Sequence, residues 1–242
     1  MKILFQLIIW QFINPALLRI KKGIKYKWND NIKGLNIGCG IDNLTMWIGI
    51  DGGITHLFIY HLPKFISRLF FKSISMSKFY NLDDYYKKIK NLRLIYFDVR
   101  FGLPFRNEII PYIYSSHFLE HLKEVEAEIL LKECFRVMKA KAIIRIAVPS
   151  IDFEIEKITE KIADYNNGGI IKIQELLTTN SSGFIAEFST HKYMYNFSIL
   201  KKKLENAGFI NVEECSYKKG KIIDVEFLDT REDSLFIEAV KP

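Results

Sequence analysis

The chain has 242 residues, 49% hydrophobic and 26% charged, a balance that suits one α/β domain with a full core and excludes extended disorder. Thirty-five basic against 28 acidic residues leave a formal charge of +7, with no block of like charge beyond Lys201-Lys202-Lys203; so diffuse an excess suits an acidic partner such as anionic lipid, a sugar phosphate or RNA without choosing among them. Cys39, Cys134 and Cys215 are odd in number and far apart, with no CxxC or Cys/His ligand spacing, which argues against a disulfide framework or a zinc site and for a reducing compartment.

Met1 to Leu18 opens like a signal peptide, with one lysine and then an apolar stretch. No small-x-small cleavage site follows, and Gln6, Gln11, Asn14 and Pro15 interrupt a run already shorter than the ~20 residues of a spanning helix. Residues 1–30 therefore predict an amphipathic helical segment. It either packs on the domain, the favoured reading, or lies in a membrane interface with Trp10, Arg19, Lys21 and Lys22 at the headgroups.

Leu35 and Ile37 then read as a short buried strand, and Gly38-Cys39-Gly40 as a turn tight enough to bring bare backbone N–H groups against a ligand. A second strand, Ile48 to Asp51, ends in a carboxylate placed to accept from both hydroxyls of a ribose, so an adenosine-type ligand is expected. The third glycine of a dinucleotide fingerprint is missing, and Asp51 follows Gly40 by eleven residues where such enzymes space the two by about 20, which disfavours a nicotinamide or flavin cofactor. A small side chain at Cys39 fits such a loop; a nucleophilic role is disfavoured without a paired base.

From Leu57 to Phe71 apolar residues recur at helical spacing, with Lys64, Arg68 and Lys72 on another face. This is either an ordinary crossover helix or a second patch facing membrane or acceptor. Asp83-Asp84 suits a helix start, and Leu94 to Val99 a third strand whose Asp98 is either a turn cap or a ligand contact. Ile110 to Ser116 predicts a fourth strand, leading into His117-Phe118-Leu119-Glu120-His121-Leu122. Two histidines and a glutamate at a strand mouth raise the chance that one faces a cleft, with His117 first; Glu120 and His121 are alternatively loop-pinning groups. A helix over Lys123–Lys139 is expected to bury Val125, Ile129, Leu130, Cys134 and Val137. Ile143 to Pro149 predicts a fifth strand, followed by a helical run to about Ala163 and a loop-rich stretch, Asn166 to Gly183, of the kind that serves as a lid or substrate loop. His191-Lys192-Tyr193-Met194-Tyr195 precedes a helix stopping at Gly208, and Ile210 to Tyr217 and Ser234 to Val240 read as the last strands.

In this order the pieces, from about Gly34 to Lys241, resemble the class I S-adenosylmethionine-dependent methyltransferases. They are most similar to the small-molecule type (methyltransferase type 11-like) with a Leu-Asn-x-Gly-Cys-Gly loop and a Ser-Ser-His-x-Leu-Glu-His-Leu segment, a group often found near bacterial surface-polysaccharide genes. The resemblance implies a Rossmann-like α/β fold over residues 31–242: a seven-stranded, mostly parallel sheet with helices on both faces and an antiparallel C-terminal hairpin. It implies S-adenosyl-L-methionine as cofactor, S-adenosyl-L-homocysteine as product, and cofactor contacts at Asn36, Gly38, Cys39, Gly40, Asp51, Gly52, Asp98, Val99, Ser115 and His117. Relatives end the fourth-strand helix with Pro-Gly-Gly, where this chain has Ala140-Lys141-Ala142. Relatives that methylate nucleobase amino groups carry an Asp/Asn-Pro-Pro-aromatic loop that is absent here, so nucleic acid is disfavoured as substrate. The expected partner is a small-molecule or saccharide acceptor, glycolipid included. The expected location is the cytoplasm, with peripheral contact to the inner membrane face through residues 1–22 and 57–72.

Methyl transfer needs in-line alignment and exclusion of water, because the sulfonium is already activated. A base is required only for a poorly acidic hydroxyl or a protonated amine, and His117, His191 and Tyr193 are the candidates. No metal-ligand pattern is visible in the sequence, so metal-independent transfer is expected. An RNA methyltransferase and a non-catalytic binding protein of the same fold stay open as alternatives.

Overall fold

Seven strands form one sheet in the order β3-β2-β1-β4-β5-β7-β6: β1 (Gly34–Ile37), β2 (Trp47–Asp51), β3 (Arg93–Tyr96), β4 (Ile110–Ser116), β5 (Met138–Pro149), β6 (Ile210–Cys215) and β7 (Ser234–Val240). The computed structural model describes residues 23–53, 81–90, 92–150 and 191–242, with single helical positions at 16, 19, 20, 68, 71, 152 and 156. The expected N-terminal helix, the Leu57–Phe71 element, the helical run to Ala163 and the Asn166–Gly183 loops lie largely or wholly outside these residues. Among the described residues no helix is long and apolar enough to cross a membrane.

The strands β1 to β5 pair in parallel, and β7 is antiparallel to both β5 and β6. The antiparallel pair at the C-terminal edge is therefore present as expected. The chain moves outward from β1 through β2 to β3 and then crosses to β4 on the other side of β1, so its direction of travel reverses between β1 and β4. β1 (GLNI) is buried on both faces, so its residues lack exposed polar positions, and its one polar side chain, Asn36, is buried and hydrogen-bonded to the Asp42 carbonyl.

One face of the sheet, built from Leu35, Ile37, Ile48, Ile50, Ile113, Ile144 and Ile146, packs on α2 (Glu124–Val137) and α3 (Phe197–Asn206). On the opposite face Leu94 packs with Tyr85 of α1 (Leu82–Lys90), while Trp47 and Tyr114 pack with Ile222 and with Leu228 of α4 (Val225–Leu228). Tyr26 and Trp28 rest against Phe105, and the Tyr26 N–H donates to the Pro104 carbonyl, so the chain just before β1 is attached to the domain.

Several details differ from expectation. α2 buries Ala127, Leu130, Leu131, Cys134 and Val137, whereas Val125 and Ile129 are exposed. The stripe at i, i+3, i+4, i+7 selects Ala127 and Leu131 over Val125 and Ile129, which fall outside it. β5 begins at Met138 rather than Ile143, and the register with β4 shifts between Ile110 and Tyr112, at Pro111, whose ring has no N–H to give the ladder. In Ala140-Lys141-Ala142, Lys141 takes a left-handed conformation (φ 62°) and its N–H donates to the Lys241 carbonyl. β3 stops at Tyr96, and Val99 begins a 3-10 turn.

α2 and α3 are bridged by Lys203, whose ammonium lies 2.6 Å from Glu124 and 2.8 Å from Glu128. Both carboxylates are about half exposed, so water competes for them. Lys203→Met is expected to lower stability by no more than about 1 kcal/mol, read as a small shift of the urea midpoint.

Candidate active site

The loop after β1 is built by hydrogen bonds from strand residues. The Asn36 amide, on the buried part of β1, donates to the Asp42 carbonyl at 3.0 Å and the Asn43 amide to the Trp47 carbonyl at 3.0 Å, folding residues 38–43 back over the strand ends. The Gly38 N–H donates to the Ile50 carbonyl. Gly38 (φ 69°) and Gly40 (φ 51°) both lie in the left-handed region. They differ in surroundings: a Cβ at Gly38 would overlap the Phe118 ring, while at Gly40 it would meet nothing within 4 Å.

Asp51, at the tip of β2, locks this loop. One carboxylate oxygen accepts the Gly40 N–H at 3.0 Å and the other accepts the Gly53 N–H. Each oxygen keeps a further lone pair, so the group can still accept from a ligand. At the tip of β3, Asp98 caps the 3-10 turn by accepting from the Arg100 N–H, and its carboxylate also takes the Arg100 guanidinium at 2.7 Å. Turn cap and charge partner are thus both roles of Asp98. Val99 is buried at the start of that turn, and the buried Ser115 hydroxyl donates to the Ile37 carbonyl, tying β4 to β1.

A cavity of about 340 Å³ opens at the carboxyl ends of β1 and β4. Of the residues expected from sequence, Asn36, Gly38, Cys39 and His117 line it; Gly40, Asp51, Gly52, Asp98, Val99 and Ser115 are not in its wall. Asp51 reaches it indirectly, through its bond to Gly40 next to Cys39. The rest of the wall was not anticipated: Asp42, Asn43 and Lys88 on one side, Tyr114 and Ser116 from β4, and Phe227, Leu228, Thr230 and Arg231 from α4 and the turn after it. Lys88 of α1 is 2.6 Å from Asp42, and the Tyr114 hydroxyl donates to the Leu228 carbonyl, so helices on the same face close two sides. Residues 227–231 carry no periodic signal that could have flagged them. Burial pushes the Cys39 thiol well up, with Asp51 and Asp42 adding to it, which suits a packing residue rather than a nucleophile.

His117 sits at β4's mouth in a left-handed conformation (φ 48°). Its Nε2 is 2.8 Å from the Ser234 hydroxyl and its Nδ1 3.5 Å from Glu120 Oε1. Burial, helped by the nearby Arg231 cation, lowers its pKa to about 4. Glu120 is 1% exposed, and burial raises its carboxyl to about 7. Its backbone carbonyl accepts from the Lys192 and Tyr193 N–H groups, which delivers His191 to the same place, 4.0 Å from Glu120 Oε1. His191 is thus beside Glu120 and not in the cavity wall, and the Tyr193 hydroxyl donates to Glu124 on α2.

No protein-family model matches the chain and no curated protein matches it. Among solved structures it is similar to an S-adenosylmethionine-dependent methyltransferase of Thermotoga maritima (13% identity, 98% of this chain and 92% of that one, TM-score 0.46). It is similar too to an S-adenosylmethionine-dependent methyltransferase of Archaeoglobus fulgidus (19% identity, 99% of each chain, TM-score 0.43). A third is phosphoethanolamine N-methyltransferase 2 of Haemonchus contortus, solved with phosphomonomethylethanolamine and S-adenosylhomocysteine (13% identity, 96% of this chain, TM-score 0.45). The chain spans 53% of that enzyme's length.

Proposed function

We propose that the protein is an S-adenosylmethionine-dependent methyltransferase acting on a small-molecule or saccharide acceptor, glycolipid included, by in-line transfer. One observation carries this reading: the cavity lies at the carboxyl ends of β1 and β4, where the chain's direction of travel reverses and open α/β sheets bind their ligands, and the glycine loop held by Asp51 forms its floor.

The residues present fit a nucleoside sulfonium. Gly40, whose N–H is spent on Asp51, has no side chain and borders open space next to Cys39 of the wall, room that a close-approaching ligand needs. Asp51 keeps open lone pairs at its strand tip, where ribose hydroxyls can donate, while Asp98 at the neighbouring tip is held on both oxygens by Arg100, so an exocyclic amine would share it with that guanidinium. When bound, S-adenosylmethionine supplies the activated methyl. The chain's part is to bind and orient: Gly38, Cys39 and Asn36 shape the floor, while Phe227 and Leu228 form an apolar side that helps keep water from the reacting atoms. His117 is in the wall, but burial and Arg231 hold its pKa at about 4, so the neutral ring suits hydrogen bonding to an acceptor hydroxyl or amine rather than holding its proton at neutral pH. The Arg231 and Lys88 cations on the wall suit an anionic acceptor, a sugar phosphate among them.

Calorimetric titration with S-adenosylhomocysteine tests the reading. The unaltered protein is expected to bind one equivalent. Asp51→Ala and Asp98→Ala are each expected to weaken binding by about 10- to 150-fold, the range for a lost hydrogen bond to a charged group. No binding by the unaltered chain would overturn the assignment.

A further inference from the structure

We propose that Glu120, His121 and His191 form a binding site for a first-row transition dication of the zinc class, beside the cavity at the mouth of β4. Two imidazole nitrogens and one carboxylate oxygen make a set of three protein ligands that suits Zn²⁺ and leaves a coordination position for water.

Geometry carries it. One ligand atom from each residue lies within 4.8 Å of the others, and Glu120 Oε1 is 4.0 Å from Nε2 of both His121 and His191. Tetrahedral bonds of about 2.0–2.1 Å place ligand atoms roughly 3.3–3.4 Å apart, so rotations of the two rings that draw each nitrogen closer to Glu120 Oε1 by roughly 0.6 Å are needed to complete the site. Those rings are already neighbours, 5.3 Å between centroids in an edge-on arrangement. Their backbones are held in place: the Glu120 carbonyl accepts from Lys192 and Tyr193, so the segment bearing His191 is clipped to the residue that supplies the carboxylate.

A second observation points to a cation independently. Both Glu120 carboxylate oxygens are buried and have no hydrogen-bond partner among the described residues. A buried carboxylate left so is costly, and buried charges are normally paired or bound to a metal. Three imidazoles surround one of its oxygens at 3.5 to 4.0 Å, too far to satisfy it directly and close enough to share a metal with it. His117, whose Nε2 is engaged by Ser234, presents Nδ1 toward Glu120 and acts as the supporting group that orients a ligating carboxylate. The sequence shows no such set because His191 stands 71 residues after Glu120, and only the fold joins them.

The inference does not depend on the methyltransferase reading, and its test measures metal directly. Full-length protein, stripped with chelator, is titrated with ZnCl₂ by calorimetry and with CoCl₂ by visible absorption. One equivalent of Zn²⁺ and the d–d bands of a four- or five-coordinate Co²⁺ site are expected. His121→Ala and His191→Ala should each weaken Zn²⁺ binding beyond the roughly 10- to 100-fold that loss of a supporting group costs; His117→Ala should fall within that range. His191 is 41% exposed, so its alanine variant keeps the fold, and circular dichroism checks this. Cys215→Ser should bind as the unaltered protein does. Absence of stoichiometric uptake, or uptake that survives both ligand substitutions, overturns the proposal.

Discussion

Replacing Arg145 with Met is expected to cost about 3–5 kcal/mol, the range for removing one partner of a buried ion pair, read as a large fall in the urea midpoint. Arg145 is fully buried in β5, where its guanidinium takes Asp229 through two nitrogens and Glu238 at 2.9 Å, with the Phe236 ring 4.9 Å away. Its remaining donor capacity goes to the Ser216 and Lys219 carbonyls. Without the cation, two carboxylates that are each no more than 3% exposed stay behind in the interior. Adding Asp229→Asn and Glu238→Gln removes those stranded charges, so the triple variant should recover part of the loss. A triple variant no more stable than Arg145→Met would sink this account. The same network holds residues 216–229 over the sheet, and Phe227 and Leu228 belong to the cavity wall, so ligand affinity is expected to fall along with stability.

Gly38→Ala and Gly40→Ala should separate two kinds of damage. At Gly38 the left-handed backbone adds about 1–2 kcal/mol and the overlap with Phe118 about 1–3 kcal/mol more. Displacing that loop by an ångström is expected to weaken S-adenosylhomocysteine binding on the order of 100-fold. At Gly40 only the backbone cost applies, about 1–2 kcal/mol, because a Cβ there meets open space. Affinity should nevertheless fall, since that space is where the ligand is proposed to approach. A Gly40→Ala protein that binds as tightly as the unaltered one would show that no ligand passes over this loop.

The strands were legible because buried parallel strands are written as apolar runs: β2 and β4 fall where their residues predict. The glycine loop and Asp51 were legible too, as punctuation after such a run. Arg145 was not. It interrupts Ile143–Val148, and its partners Asp229 and Glu238 lie 84 and 93 residues away, beyond any local pattern. Glu120 was visible as part of a polar cluster, but its burial depends on a segment that returns at residue 191. The cavity's far wall, residues 227–231, is contributed by the end of a four-residue helix, too short to show a period, and the turn after it.

The position of β7 bears on how the chain reaches this fold. The strand that emerges last fills an inside place, between β5 and β6, and its pairing with β5 joins residues as far apart as Ile143 and Val240. On the ribosome, β5 therefore keeps a bare edge long after it has been made, and β6 has nothing to join. Such distant pairing is slow, and an open apolar edge invites contact with other chains while it waits. Cellular yield should therefore respond more to substitutions along residues 234–240 than to equally severe ones in β3, which borders the sheet on its other side.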